Sequence, residues 1–315
     1  MIANFQNVVK RYGNVQALDN VDFSIYKGEV LGLLGPNGAG KTTAIRALAG
    51  LIDIDGGEIS LFGETQAVNK IHLKQKLGLV TQEVTVFGEL TAAENLRFFG
   101  GLYGMRGHVL EEKVVEALEF VGLTEHAKGY PSKFSGGMAR RLNIACALVH
   151  EPKFIIMDEP TVGIDPQSRK HILDSVKLLA EKGTTVLYTS HYMEEVQAIA
   201  SRIVIMDQGH VIAHGTLDEL IRKIQHEEIV RLTVHSPAPE LNIALKEVQG
   251  VKEVTNQGVI LTVISQPKAD NLDRILAVTQ QHGGVVAVSA EGTTLEDVFL
   301  TLTGKSLRDH GEERS

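Results

Sequence analysis

The segment EVLGLLGPNGAGKTT, Glu29–Thr43, runs from an apolar stretch through a glycine-rich turn into a helix start. Its second half fits the spacing G-x-x-x-x-G-K-[ST], with Gly35, Gly40, Lys41 and Thr42 at the fixed positions, Pro36, Asn37, Gly38 and Ala39 between them and Thr43 after. Glycines let the backbone curl so that successive N–H groups converge on one phosphate, and the helix N-terminus adds partial positive charge. Lys41 is expected to reach the β- and γ-phosphates of a nucleotide, and the Thr42 hydroxyl to ligate Mg²⁺. Ile45, Leu48, Ala49 and Ile52 give the following helix one apolar stripe.

Outward from this loop the chain alternates short apolar runs with helical stretches. KFIIMD (Lys153–Asp158), TTVLYTS (Thr184–Ser190) and RIVIMD (Arg202–Asp207) have little polar alternation, as do strands buried on both faces of a mostly parallel sheet. The stretch from about Asn4 to Tyr26 alternates more and predicts an antiparallel hairpin region. Strand signals stop between about 90 and 132. There Leu110, Val114, Ala117, Leu118 and Val121 fall at helical spacing, which predicts a helical insert. At the end of the FIIM strand Asp158 and Glu159 emerge where open α/β sheets place ligands. Asp158 is expected to hold Mg²⁺ and Glu159 to polarise an attacking water. Further back, FSGGMARRL (Phe134–Leu142) offers a hydroxyl and exposed backbone N–H groups ahead of a helix, at Ser135, Gly136 and Gly137.

Composition sets the limits. The chain has 315 residues, 43% hydrophobic and 22% charged, which excludes wholesale disorder, a coiled coil or a fibrous repeat. A net charge of −8 argues against a broad electrostatic grip on nucleic acid. One cysteine, Cys146, forms no intrachain disulfide, and it reads as core filler. With no apolar run long enough to span a bilayer and no apolar leader, a cytosolic protein is expected. The nucleotide-binding region is expected over 1–224. After it, 225–306 reads strand, helix, hairpin, helix, strand, the order of a ferredoxin-like split βαβ, followed by a helix opened by a Thr293–Glu296 capping box. Residues 307–315 are expected to fray.

Taken in order, these motifs resemble the nucleotide-binding subunit of an ABC transporter over roughly residues 2–220. The resemblance implies a P-loop ABC-type domain, an α/β fold whose mostly parallel sheet carries an antiparallel β subdomain and the helical insert. It also implies the cofactors ATP and Mg²⁺. Tyr12, in KRYGN, would stack on adenine. Gln82, in LGLVTQE, would touch Mg²⁺ and the transporter partner. Ser135, Gly136 and Gly137 would contact the γ-phosphate held by a second copy, so the working unit would be a homodimer. Asp165, in GIDP, would lie on the loop that crosses the dimer interface, and His191, in YTSHYMEE, would bond the γ-phosphate. Phe134 and Met138 depart from the usual leucine and glutamine, as they do in export-type subunits.

The C-terminal piece ending GTTLEDVFLTLTGKSLRD is similar to the accessory end of bacterial ABC-2-type exporter subunits of the antibiotic-resistance kind, including the linearmycin-resistance type. The resemblance implies an integral-membrane ABC-2-type permease as partner and a place at the inner face of the membrane. Phe98, Phe99, Leu102 and Tyr103 of the insert are expected to form an apolar cluster facing that partner or the insert's own core. Two other readings are a soluble ABC ATPase acting on ribosomes or nucleic acid, and a non-catalytic module switched by ATP. From Ile221 to Ser315 the chain has 10 Lys and Arg against 13 Asp and Glu, no basic platform for the first. The intact Glu159 speaks against the second.

Overall fold

The computed structural model describes residues 1–66, 70–190, 192–223, 228–235, 239–267, 269–291 and 294–303, and the chain divides into two compact units. In the first, β1 (Ala3–Tyr12) and β2 (Val15–Ile25) pair as the expected hairpin, followed by β3 (Val30–Leu34) and α1 (Lys41–Leu48). Next come β4 (Gly56–Leu61), β5 (Glu64–Thr65), α2 (Ile71–Lys74) and β6 (Leu77–Val80). The insert is helical, with α3 (Ala92–Leu102) and α4 (Gly107–Phe120), and leads to α5 (Gly136–Leu148). Then β7 (Phe154–Asp158), α6 (Pro166–Glu181), β8 (Thr185–Thr189), α7 (Met193–Ile199), β9 (Arg202–Asp207) and β10 (His210–Gly215) follow, and α8 (Leu217–Lys223) falls almost wholly in the second unit.

Two sheets result. One is antiparallel, in the order β2-β1-β4-β5; the other has the order β10-β9-β3-β8-β7-β6, parallel except at β10. Strand β3 is buried at all five positions because it lies between β9 and β8 with both faces covered. Between the two sheets lies α1, whose Ala44, Ile45, Ala47 and Leu48 join one core with Phe5, Leu18, Ile59, Leu61, Phe154 and Leu187. Burying Ile45 and Leu48 there is worth about 1.5–3 kcal/mol each.

The second unit, Asp218–Thr301, contains β11 (Glu228–Val234), α9 (Pro239–Lys246), β12 (Val251–Gln257), β13 (Ile260–Ser265), α10 (Leu272–His282), β14 (Val285–Glu291) and α11 (Leu295–Thr303, which runs two residues past its end). Its strands pair antiparallel in the order β12-β13-β11-β14, the split βαβ topology, around a core of Val230, Leu232, Leu241, Leu245, Leu261, Val263 and Ile275. The division falls at Asp218, seven residues before the expected 225, because α8 clusters mostly with the second unit. The last helix also starts later than its sequence suggests. A capping box is formed by Thr294 and Asp297, each backbone N–H bonded to the other's side chain (2.7 and 3.2 Å). Thr293 and the tail 307–315 lie outside the described residues.

Candidate nucleotide site

Parallel strands bring their carboxyl ends to one edge, and the edge here collects most of the singled-out residues. Strand β3 feeds the loop Gly35–Gly40, β7 ends at Asp158, β8 ends at Thr189, and β6 ends two residues before Gln82. Register places Asp158 directly beside Thr189. The Thr189 hydroxyl donates to Asp158 Oδ1 at 2.8 Å and accepts the Glu159 N–H at 2.9 Å, so one side chain orients both acids. Glu159 is 7% exposed and has φ of +49°, a left-handed backbone that a non-glycine residue holds only when its surroundings fix it.

Lys41 opens α1 at 6% exposure, and its Nζ donates to the carbonyls of Gly35 (2.7 Å) and Pro36 (3.2 Å). Burial lowers its pKa from the ordinary lysine value, against the opposing pull of the Glu159 and Asp158 charges. Burial pushes the Asp158 carboxyl up, the Thr189 hydroxyl opposes that, and the Glu159 charge adds to it. Lys41 thus faces both acids across the end of the sheet. Thr42, Asn37 and Gly38 are exposed at the same end, and Thr43 is half-buried.

The loop's shape depends on Gly40, the residue before α1, at φ +100°. A Cβ there would sit 2.4 Å from the Ala17 carbonyl oxygen on β2. Gly40→Ala is therefore expected to cost about 1–3 kcal/mol from backbone strain alone. The corresponding loss of roughly 2–12 °C in Tm can be read by thermal unfolding. An unchanged Tm would mean the loop relaxes freely. The same close approach brings the hairpin against the phosphate loop: Tyr12 pairs with Val15, two residues from Ala17, and its ring is half exposed with Lys10 Nζ above it at 5.5 Å.

Ser135, Gly136 and Gly137 stand elsewhere. Ser135 is the N-cap of α5, its Oγ accepting the Met138 N–H at 3.2 Å, and among the described residues it makes no hydrogen bond to the Lys41 loop. Helix α5 is tied to the segment that follows β6. Arg140, 5% exposed, donates from both terminal nitrogens to the carbonyls of Thr81 (2.8 Å) and Gln82, while Asn143 Oδ1 accepts from Thr85 N (3.2 Å) and Oγ1 (2.9 Å). Gly137 lies so close to α6 that a Cβ would sit 2.1 Å from Ser168 Oγ, and Asp165 caps α6 through the Ser168 N–H at 2.9 Å. His191 lies outside the described residues, though its neighbours Ser190 and Tyr192 are described.

One expectation needs correction, and some residues were not foreseen. Tyr103 does not join the insert's aromatic cluster but stacks on His150 at 3.5 Å, and Phe87 takes its place beside Phe98 and Phe99. Leu102 is 66% exposed. Cys146 is buried, and burial pushes its thiol up, as for an inert core side chain. Thr189, Arg140 and Asn143 were missed; a polar residue at a strand end and a cation inside a helix stripe carry no signal at short range. Among the described residues no helix is long and apolar enough to cross a membrane, and no cluster of three or more His, Cys, Asp or Glu could hold a metal.

This arrangement, a phosphate loop facing an Asp–Glu pair across a parallel sheet with a separate SGG helix, defines an ATP-binding cassette. The ABC transporter family model matches residues 18–162. The linearmycin resistance ATP-binding protein LnrL of Bacillus subtilis (strain 168) is 44% identical, covering 96% of this chain and 99% of its own. Daunorubicin resistance ATP-binding protein DrrA3 of Streptomyces coeruleorubidus is 36% identical, over 95% of each. Among solved structures, the dimeric post-hydrolysis ATP-binding cassette MJ0796 bound to ADP and Pi aligns with a TM-score of 0.62 at 28% identity, over 68% of this chain and 98% of that one. The chain belongs to the ABC transporter family and is an ATP-hydrolysing subunit of a transporter.

Proposed function

We propose that this ATPase powers export of a drug, antibiotic or lipid-like compound through a separate ABC-2-type membrane permease, and that two copies close head to tail on two ATP molecules. Near full-length likeness to two resistance ATP-binding proteins supports the export reading. The dimeric MJ0796 cassette, which this chain resembles, carries the dimer reading, and Ser135, which caps α5 and makes no hydrogen bond to the Lys41 loop among the described residues, is the group a second copy would bring to the γ-phosphate. Tyr12 would stack on adenine, and Gly35–Thr43 would wrap the phosphates. Mg²⁺ suits the donors present, since a small hard cation takes one carboxylate, Asp158, a hydroxyl, Thr42, the Gln82 amide and phosphate oxygens. When bound it neutralises charge on the phosphates. Glu159 accepts the proton of the attacking water, and His191 contacts the γ-phosphate. The subunit would work in the cytoplasm against the inner membrane face. There the exposed Phe98 and the Gln82 loop would receive the permease.

Ser135→Arg tests the dimer reading. ATP affinity of a single subunit should persist, while turnover falls about 10²–10³-fold because a phosphate contact and interface closure are lost. Mixing Ser135→Arg with Lys41→Ala should restore part of the ATPase activity, since one mixed site then has both an intact phosphate loop and an intact SGG. Two inactive variants that stay inactive together, or an ATP affinity that collapses in Ser135→Arg alone, would overturn it.

A further inference from the structure

A buried carboxylate outside the motifs draws together the segments that surround the two acids. Glu195, in the first turn of α7, is 3% exposed. Its Oε2 accepts three hydroxyls, from Thr161 (2.7 Å), Tyr188 (2.9 Å) and Ser190 (2.6 Å). Its Oε1 lies 3.3 Å from Arg169 Nε on α6, at ion-pair range but outside hydrogen-bond geometry. A carboxylate removed from water is costly unless several donors converge on it, and these come from different stretches of chain. Thr161 is two residues beyond Glu159. Ser190, the residue after β8, in turn accepts the Tyr192 N–H at 3.0 Å, so both neighbours of position 191 are held. Arg169 stacks over the Tyr192 ring at 4.2 Å and belongs to the helix capped by Asp165. Burial, with the Glu195 charge adding to it, pushes the Tyr188 phenol up, which keeps it a donor.

We propose that Glu195 is a positioning residue of the hydrolytic site, fixing through one carboxylate the turn that carries Glu159, the segment on either side of position 191 and the start of α6. Glu159 is then bracketed: Thr189 holds its backbone N–H on one side, and Glu195 holds Thr161 on the other. A left-handed backbone at Glu159 needs such over-determination, and Glu195 adds to what Thr189 supplies. The role concerns geometry of the chemical step and not nucleotide affinity, because none of its partners belongs to the phosphate loop. The proposal rests on the reading of Glu159 as general base.

The test is Glu195→Gln, measured beside wild type and Glu159→Gln for kcat, ATP affinity and Tm. The amide keeps the volume and one acceptor but cannot balance Arg169 or hold three hydroxyls as firmly. The expected result is a kcat lowered about 10–100-fold with ATP affinity and Tm close to wild type. Should Glu195→Gln not fold, Ser190→Ala and Tyr188→Phe each remove one donor and should each lower kcat roughly 2–10-fold at constant ATP affinity. Wild-type kcat in these variants overturns the proposal, as does a parallel fall of kcat, affinity and Tm, which marks a merely structural role. An inactive Glu159→Gln beside a fully active Glu195→Gln overturns it alone; a fully active Glu159→Gln removes the site reading beneath it.

Discussion

Glu159→Gln should bind ATP as wild type does and turn over about 10²–10⁴-fold more slowly. The amide is nearly isosteric, and the fixed points around it are backbone and neighbours: Thr189 holds the Glu159 N–H, not its side chain. The Thr189 contact to its N–H is therefore spared. What disappears is the only group at this position able to accept a proton from water. If ATP closes two copies and hydrolysis opens them, blocking the chemistry alone should trap the closed state. Size-exclusion chromatography should then give a dimer for Glu159→Gln with Mg·ATP and a monomer without nucleotide. A monomer at saturating ATP would overturn the sandwich arrangement, and undiminished turnover would overturn the assignment of the base.

Lys41→Ala should lose binding and turnover together. The ammonium is the single side-chain cation in the phosphate loop, and it is already desolvated and aimed by two carbonyls of that loop. Charge-assisted hydrogen bonds to phosphate contribute about 1.5–3 kcal/mol, so ATP should bind roughly 10–150-fold more weakly. Turnover should fall a further ~10²–10³-fold where charge develops on the transferring group. The loss of a buried cation facing Asp158 and Glu159 leaves two acids without it, so the remaining ATP affinity should also depend more steeply on Mg²⁺. Equilibrium binding with a fluorescent nucleotide and steady-state phosphate release check the two effects separately. Wild-type values in either would remove Lys41 from the site.

Short-range patterns carried much of this site, and the reason is geometric. The phosphate loop needs a strand, a turn and a helix within fifteen residues, so Glu29–Thr43 reads directly. Buried parallel strands such as FIIM and VLGLL announce themselves by lacking polar alternation. The residues that hold those pieces together do not. Thr189 meets Asp158 across 31 positions, Thr161 meets Glu195 across 34, and Arg140 meets Thr81 across 59. No local period encodes such pairs. Adjacent alternatives also defeat a linear reading. Thr293-x-x-Glu296 and Thr294-x-x-Asp297 fit the same capping pattern, and it is the fold that shows the second formed. Tyr103 follows the same logic: its spacing suits the aromatic cluster, yet the ring turns to His150.

The central place of β3 has a consequence for how the chain is made. Both of its neighbours, β8 and β9, lie about 150 residues or more further along. At ~5–20 residues per second of synthesis, the five apolar residues of β3 wait roughly 8–30 s before either edge can be paired. Throughout that interval the nascent chain carries an open, fully apolar strand beside an unfinished phosphate loop. At the start of it, residues 1–66 supply the β1–β2–β4–β5 sheet and α1, and later elements up to α6 follow before β8 does. The nucleotide site is thus among the last parts of its unit to be completed, although its defining loop is made about 150 residues earlier.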